Sequence, residues 1–404
     1  MTKLIIYIIS IFFTGVMFFY IAILWNKGVS YIHRMEAKKL QPEINAFVNR
    51  YIECGALNKT HNKNKHHELQ EITNDTLQEE KIIIQQIKSF IKKPSRRNLV
   101  ENSLFSYENS NDKVTKEAII NLAEETGLVK GYVRDLHLKD HHKVAEAVEK
   151  LGRIGSKSAN KYLIKVLKRG NTFESYNTLL ALAKTGDEEY FIEAFNYLEG
   201  IEYLTDRSII HIIDSFQGDL SSIYCKMINH SNSDIVSLFI KSASNALHVS
   251  NKKLNDGTVN YIKNNIVHYL KSDNIELKIA TIKFLGELKD QSFIDLIGSN
   301  LNDGEWVVRA ITAKVLGNFR DGAQGYLLKS LKDSVWTVRY NSAISLMNSK
   351  DYIKYVDNIL SGNDKFAKDI IIAILDNAKK IDKIDNSSIK RKIAHHIESK
   401  KGND

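Results

Sequence analysis

Two acid–base pairs are the groups in this sequence best placed to do chemistry: Asp303 with Arg309, and Asp333 with Arg339. A carboxylate and a guanidinium six residues apart could serve as paired catalytic groups. Their recurrence at an offset of 30 residues argues otherwise. A catalytic set occurs once, whereas a structural ladder occurs in every repeat. Trp306 and Trp336 recur on the same offset, and Tyr340 follows Trp336 by one helical turn. Aromatic and arginine side chains dominate binding hot spots, so Trp306, Trp336 and Tyr340 are candidate partner-binding residues. The competing reading buries the tryptophans between repeats, where Trp is found on average.

Other constellations are weaker. His137 and His141 would share one helix face and could hold a metal, with His142 and Asp140 beside them. No glutamate completes an H-E-x-x-H pattern, which favours a solvated helix start and no metal. Lys157, Lys161, Lys165 and Lys168 are spaced four, four and three apart, with Arg169 adjoining. That stripe could meet phosphates of lipid or nucleic acid. It could equally be the wet face of a helix whose other side carries Tyr162, Leu163, Val166 and Leu167. There is no G-x-x-x-x-G-K-[ST], no G-x-S-x-G and no glycine-rich phosphate loop, so no cofactor and no enzymatic activity are expected.

These residues sit in a repeating frame. The segment from Leu301 aligns with that from Leu331 through Leu301/Leu331, Asp303/Asp333, Trp306/Trp336, Val308/Val338, Arg309/Arg339, Ala313/Ala343 and Leu316/Leu346. Leu270, Asp273 and Leu285-Gly286 lie one repeat earlier, and Leu151-Gly152, Leu182 and Ile213 echo the pattern 31 residues apart. About eight units of two helical patterns result. One such pair cannot bury its apolar faces alone, so neighbours must supply the core. The chain is predicted to be all-α, a solenoid of stacked helical hairpins. Only 2 prolines in 404 residues agree with that, because proline breaks helix interiors.

The pattern Leu-x-Asp-x-x-x-x-Val-Arg-x-x-x-Ala-x-x-Leu-Gly resembles the HEAT-repeat family, in its short bacterial, phycobilisome-lyase HEAT-like form. The resemblance runs over roughly residues 138–380 and is clearest in the units at 273, 303 and 333. It implies that Asp303, Arg309, Asp333 and Arg339 form an inter-repeat ladder and that the second helix of each pair lines a concave side. Ile279 replaces the arginine after Asp273, with Lys278 one place before, so the ladder is expected to break there.

Residues 4–25 (Leu4 to Trp25) carry no charged side chain. As a helix they span about 33 Å, enough for a hydrocarbon core of about 30 Å. The run exceeds a signal-peptide apolar region and no small-residue cleavage site follows. Lys27, Arg34, Lys38 and Lys39 behind it place the C-terminal body in the cytoplasm by the positive-inside rule. Seven of the nine net positive charges fall in residues 1–100, which fits topology better than a nucleic-acid footprint. Cys54 and Cys225 form no C-x-x-C and read as reduced thiols.

The expected organisation is an anchor at 1–26, a juxtamembrane helical and linker region at 27–113, a solenoid at 114–390 and a charged tail at 391–404. Within the linker region, Pro42 is expected to kink or start a helix over 35–54, and Asn58 to His67 reads as a flexible loop. The layout resembles membrane-anchored bacterial HEAT proteins. It implies a non-enzymatic scaffold, single-pass in the inner membrane, that holds a membrane-associated protein partner, with a glycosyltransferase complex of envelope or exopolysaccharide synthesis as the first class to consider. Alternatives are a bilin lyase-like or DNA glycosylase-like enzyme and an anionic-lipid binder. Nucleic acid is disfavoured as a partner.

Overall fold

The computed structural model describes residues 2–61, 69–108, 110, 112–169, 172–198, 204–248, 254–377, 381, 384 and 386–401, and among them there is helix and no strand. The chain divides into two compact units: Met1–Tyr203 with Phe216–Gly218, and Leu204–Ser215 with Asp219–Asp404. The division falls inside the stretch expected as one solenoid.

Unit 1 contains α1 (Thr2–His61), α2 (Leu69–Ile91), α3 (Pro94–Phe105), α4 (Lys113–Glu125), α5 (Leu128–Asp135), α6 (His141–Ile154), α7 (Asn160–Leu167), α8 (Thr172–Thr185) and α9 (Glu188–Phe195). The first of these differs from expectation. α1 passes through Pro42 without a break and continues over Asn58–His61; the remainder of the predicted loop lies outside the described residues. Ile44, Val48, Tyr51 and Cys54 recur at helical spacing and are buried where α1 packs on α2, α3 and α4. Tertiary burial of that face outweighs the one backbone hydrogen bond that Pro42 cannot make. Pro94 occupies the first turn of α3, where its missing N–H costs nothing. Gly127, at φ +85°, supplies the left-handed turn that joins α4 to α5.

From α5 onward the helices pair. α5 packs with α6, α7 with α8, and the second members α6 and α8 pack on each other. Their contact is close because of the Leu-Gly step. A Cβ on Gly152 would lie 2.8 Å from the Ala181 Cα, so only glycine admits α8 at this distance. The histidines do not share a face. His137 lies in the turn after α5, while Asp140 caps α6 by accepting from the His142 and Lys143 N–H groups.

Unit 2 contains α10 (Asp206–Asp214), α11 (Leu220–Met227), α12 (Ser233–Ala246), α13 (Asp256–Ile266), α14 (Ile275–Glu287), α15 (Ile294–Gly298), α16 (Trp306–Leu316), α17 (Gln324–Ser330), α18 (Trp336–Leu346), α19 (Tyr352–Ser361), α20 (Lys365–Asn377) and α21 (Ser387–Lys401). Two layers result. The second helices α12, α14, α16, α18 and α20 pack each on the next, and the first helices α11, α13, α15, α17 and α19 each pack on their own partner. The second-helix layer carries the unit's core. Thr281, Thr312 and Ser342 are fully buried within it, and each hydroxyl donates to the carbonyl four residues back, which satisfies a group otherwise costly to bury. α18 also donates across to α16, from Asn341 Nδ2 to the Ala310 carbonyl (2.8 Å) and from Ser345 Oγ to the Ala313 carbonyl (2.7 Å).

Candidate partner-binding surface

The turn leading into each second helix of unit 2 needs a carboxylate. Asp303 accepts from the Glu305 N–H (2.9 Å) and Asp333 from the Val335 N–H (2.8 Å), so each aspartate closes the turn just before the helix that follows. The remaining carboxylate oxygen of each faces a cation from the preceding second helix. Arg309 donates Nε (2.7 Å) and Nη2 (3.1 Å) to Asp333 in a two-point fork. Its Nη1 donates to the carbonyls of Asp303 (2.8 Å) and Gly304 (3.1 Å), which fixes the guanidinium over the turn.

The rung expected to be missing is present. Lys278, not the residue at the arginine position, donates to Asp303 at 2.5 Å. A long side chain starting one position earlier reaches the same carboxylate, since its four-carbon stem is flexible. One repeat further back Lys241 lies 2.7 Å from Glu276 and 2.8 Å from Asp206. Cations from α12, α14 and α16 thus each reach forward to an acid at the start of the next second helix.

These pairs are largely dry, with side-chain exposures of 13% and 13% for Lys278–Asp303 and 14% and 10% for Arg309–Asp333. Burial works to raise the two aspartate values, but the hydrogen bonds and charges of Lys278 and Arg309 outweigh it, and both carboxyls titrate below their ordinary 3.8. A depressed carboxyl contributes stability that is full above its unfolded value and is lost as pH falls through the folded one. Unit 2 will therefore weaken below about pH 4, and Asp333→Asn will flatten that acid limb while costing about 1–3 kcal/mol at pH 7. Urea unfolding at pH 7 and pH 3 checks this. An equal acid loss in the variant would show that the rung is not responsible.

The same helix starts display an aromatic row. Trp306 and Trp336 open α16 and α18 and are 46% and 57% exposed, so the reading that buried them between repeats is overturned. Their first-turn position holds them beyond the core, which Val308 and Val338 fill instead. Tyr340 stacks on Trp336 with ring centroids 4.8 Å apart and planes inclined by 16°. Phe366, on the first turn of α20 and 65% exposed, extends the row. Sequence reading missed Phe366, although it stands one further offset of 30 beyond Trp336. Arg339 Cζ lies 5.4 Å from the centre of its ring.

The lysine stripe takes shape in unit 1. Lys157, in a short 3-10 turn, and Lys161, Lys165 and Lys168 on and after α7 are all exposed. Lys161 and Lys165 flank the Tyr162 ring, and Lys168 lies over Tyr197 and 3.5 Å from Glu193. Arg169 donates to the Leu136 carbonyl (2.8 Å) and so ties α7 back to the end of α5. Unit 1 also has a cavity of about 940 Å³ lined by Arg97, Glu101, Tyr132, Lys143, Glu146 and Lys150. At its base Glu101 is 4% exposed and pairs with Arg97 (3.0 Å) and Lys150 (2.9 Å), while Tyr132 donates its hydroxyl at 2.5 Å.

Paired helices in two layers, joined by repeated charge rungs, define an all-α helical-repeat protein of the solenoid class, a scaffold suited to protein binding. Residues 262–347 match the family model for HEAT repeats. That segment is similar to HEAT repeats, and it holds most of the ladder together with Trp306, Trp336 and Tyr340. No curated protein matches the chain. Among solved structures, an engineered protein is similar over 86% of this chain and 98% of its own, at 16% identity and a TM-score of 0.32. A designed armadillo repeat protein is similar over 55% and 99%, at 15% identity and a TM-score of 0.30. A chain from a structure of Kap95p with RanGDP is similar over 92% and 61%, at 11% identity and a TM-score of 0.38.

Proposed function

We propose that this protein is a non-enzymatic, membrane-tethered scaffold that holds a protein partner along Trp306, Trp336, Tyr340 and Phe366. The observation that carries the reading is the aromatic row itself. Three large rings recur at one offset, stay exposed, and stand beside arginines that are already fixed in place. Rigid aromatic and arginine groups on a stiff frame are the composition of binding hot spots, because little side-chain freedom is lost on docking.

The tether reading rests on α1. Among the described residues one helix, Phe12–Ala56 within α1, is long and apolar enough to cross a membrane. The cations Lys27, Arg34, Lys38 and Lys39 behind the apolar stretch support a single pass with the C-terminal body on the cytoplasmic side. Tethering raises the local concentration of a bound partner at the bilayer. A glycosyltransferase complex of the inner membrane is the partner class that the overall layout suggests.

A photo-crosslinking amino acid placed at Trp306, Trp336 or Phe366 of the full chain in cells tests the proposal. The same adduct is expected from all three sites and none from Leu296, an exposed residue of the first-helix layer. Adducts from no row position, or equally from Leu296, would overturn it.

A further inference from the structure

The rungs of unit 2 end in an open one. Lys241, Lys278 and Arg309 each reach an acid at the start of the next second helix: Glu276 at 2.7 Å, Asp303 at 2.5 Å and Asp333 at 2.7 Å. Arg339 holds the equivalent place on α18. It donates Nη1 to the carbonyls of Asp333 (2.7 Å) and Ser334 (3.1 Å), as Arg309 does one repeat earlier. The rest of its fork has no acid. Its Nε is buried and without a hydrogen-bond partner.

The sequence explains the gap. Arg309 pairs with the residue 24 positions ahead, and 24 positions beyond Arg339 stands Asn363. The nearby Asp364 makes no ion pair with Arg339, and its Oδ1 instead accepts from the Ala367 N–H (3.0 Å) at the start of α20. A buried guanidinium N–H left unmatched is costly, and a carboxylate is the group whose two oxygens fit that fork. The face of Phe366, a ring that is 65% exposed, lies beside it.

We propose that a carboxylate of the protein partner completes this rung, and that the partner segment seated between Trp336 and Phe366 is acidic with apolar residues interleaved. The inference rests on the reading of the aromatic row as a partner surface. Charge complementarity selects the occupant: the open group is a cation, and the three filled rungs show which anion the geometry accepts.

The test uses the full chain in detergent micelles with two probes: a fluorescein-labelled octapeptide alternating aspartate with leucine, and its asparagine–leucine counterpart. The acidic peptide is expected to bind about 10–100-fold tighter, the size of one charge-assisted fork. Arg339→Gln should erase that preference. Asn363→Asp should erase it too, because it supplies the carboxylate from within the chain, and it should raise the melting temperature by a few degrees. A more stable variant that no longer discriminates cannot be explained by unfolding. The proposal falls if the two peptides bind alike in the native chain, or if either variant keeps the preference. Lost preference with intact crosslinks at Trp336 overturns the carboxylate alone, whereas a retained preference without crosslinks overturns the partner reading instead.

Discussion

Glu101→Ala will lower the unfolding free energy of unit 1 by about 3–5 kcal/mol. Glu101 is 4% exposed and joins three helices. It is bonded to Arg97 on its own helix α3, to Tyr132 on α5 and to Lys150 on α6. Removing the carboxylate strands two cations that are only 28% and 20% exposed. It also leaves the Tyr132 hydroxyl without its acceptor, in a place where burial already holds the phenol well above its ordinary value. The Arg97 and Lys150 charges, both raised above their ordinary values despite the opposing pull of burial, depend on that carboxylate among their partners. Lys150 keeps Glu146 at 2.6 Å, so part of its charge remains compensated and the loss should sit in the lower half of the range. Chemical denaturation of the purified chain, followed by the signal of unit 1, checks this. A change under about 1 kcal/mol would show that solvent in the adjoining cavity replaces the lost partner.

Trp336→Ala will weaken the partner by about 30–1,000-fold while leaving the fold nearly untouched. The two effects separate because the ring is 57% exposed and its helix is held by Val338 and Ala343, both fully buried. Trp336 is the centre of the row, with Tyr340 stacked behind it. Trp306→Ala should lose less, as one end of the same strip. The expected pattern is therefore graded along the row, highest in the middle, as hot spots sit at the centre of an interface. Affinity measured against the crosslinked partner, alongside a thermal melt, distinguishes this from instability. Equal small losses at every row position would place the binding energy elsewhere.

Part of unit 2 was legible because two of its repeats share their key residues at a fixed offset. Leu301, Asp303, Trp306, Val308 and Arg309 have literal counterparts 30 residues on, and the structure gives each pair the same place. Lys278 shows the limit. A one-residue shift hides a rung from pattern matching, because a sequence pattern fixes where a Cα stands and not how far a lysine reaches. For Trp306 and Trp336 only the competing burial reading failed, because the average burial of tryptophan says nothing of a first-turn position. Unit 1 was harder still. The Glu101 cluster brings α3, α5 and α6 together through residues with no repeat partner and no motif, so only the packing reveals it. The unbroken course of α1 through Pro42 was hidden for a similar reason, since local propensity is overruled there by burial against α2, α3 and α4.

In the single-pass arrangement proposed above, the unbroken course of α1 would govern how unit 1 faces the bilayer. Between the apolar stretch and the first buried face at Ile44 there is continuous helix, so the two ends of α1 share a rotational phase. An α-helix advances 1.5 Å and turns about 100° per residue. Inserting a single residue after Trp25 would therefore swing unit 1 about a third of the way round the membrane normal while lifting it hardly at all, and four added residues would bring it almost back to its starting azimuth. Orientation about the axis, more than distance from the surface, is the quantity this helix keeps constant.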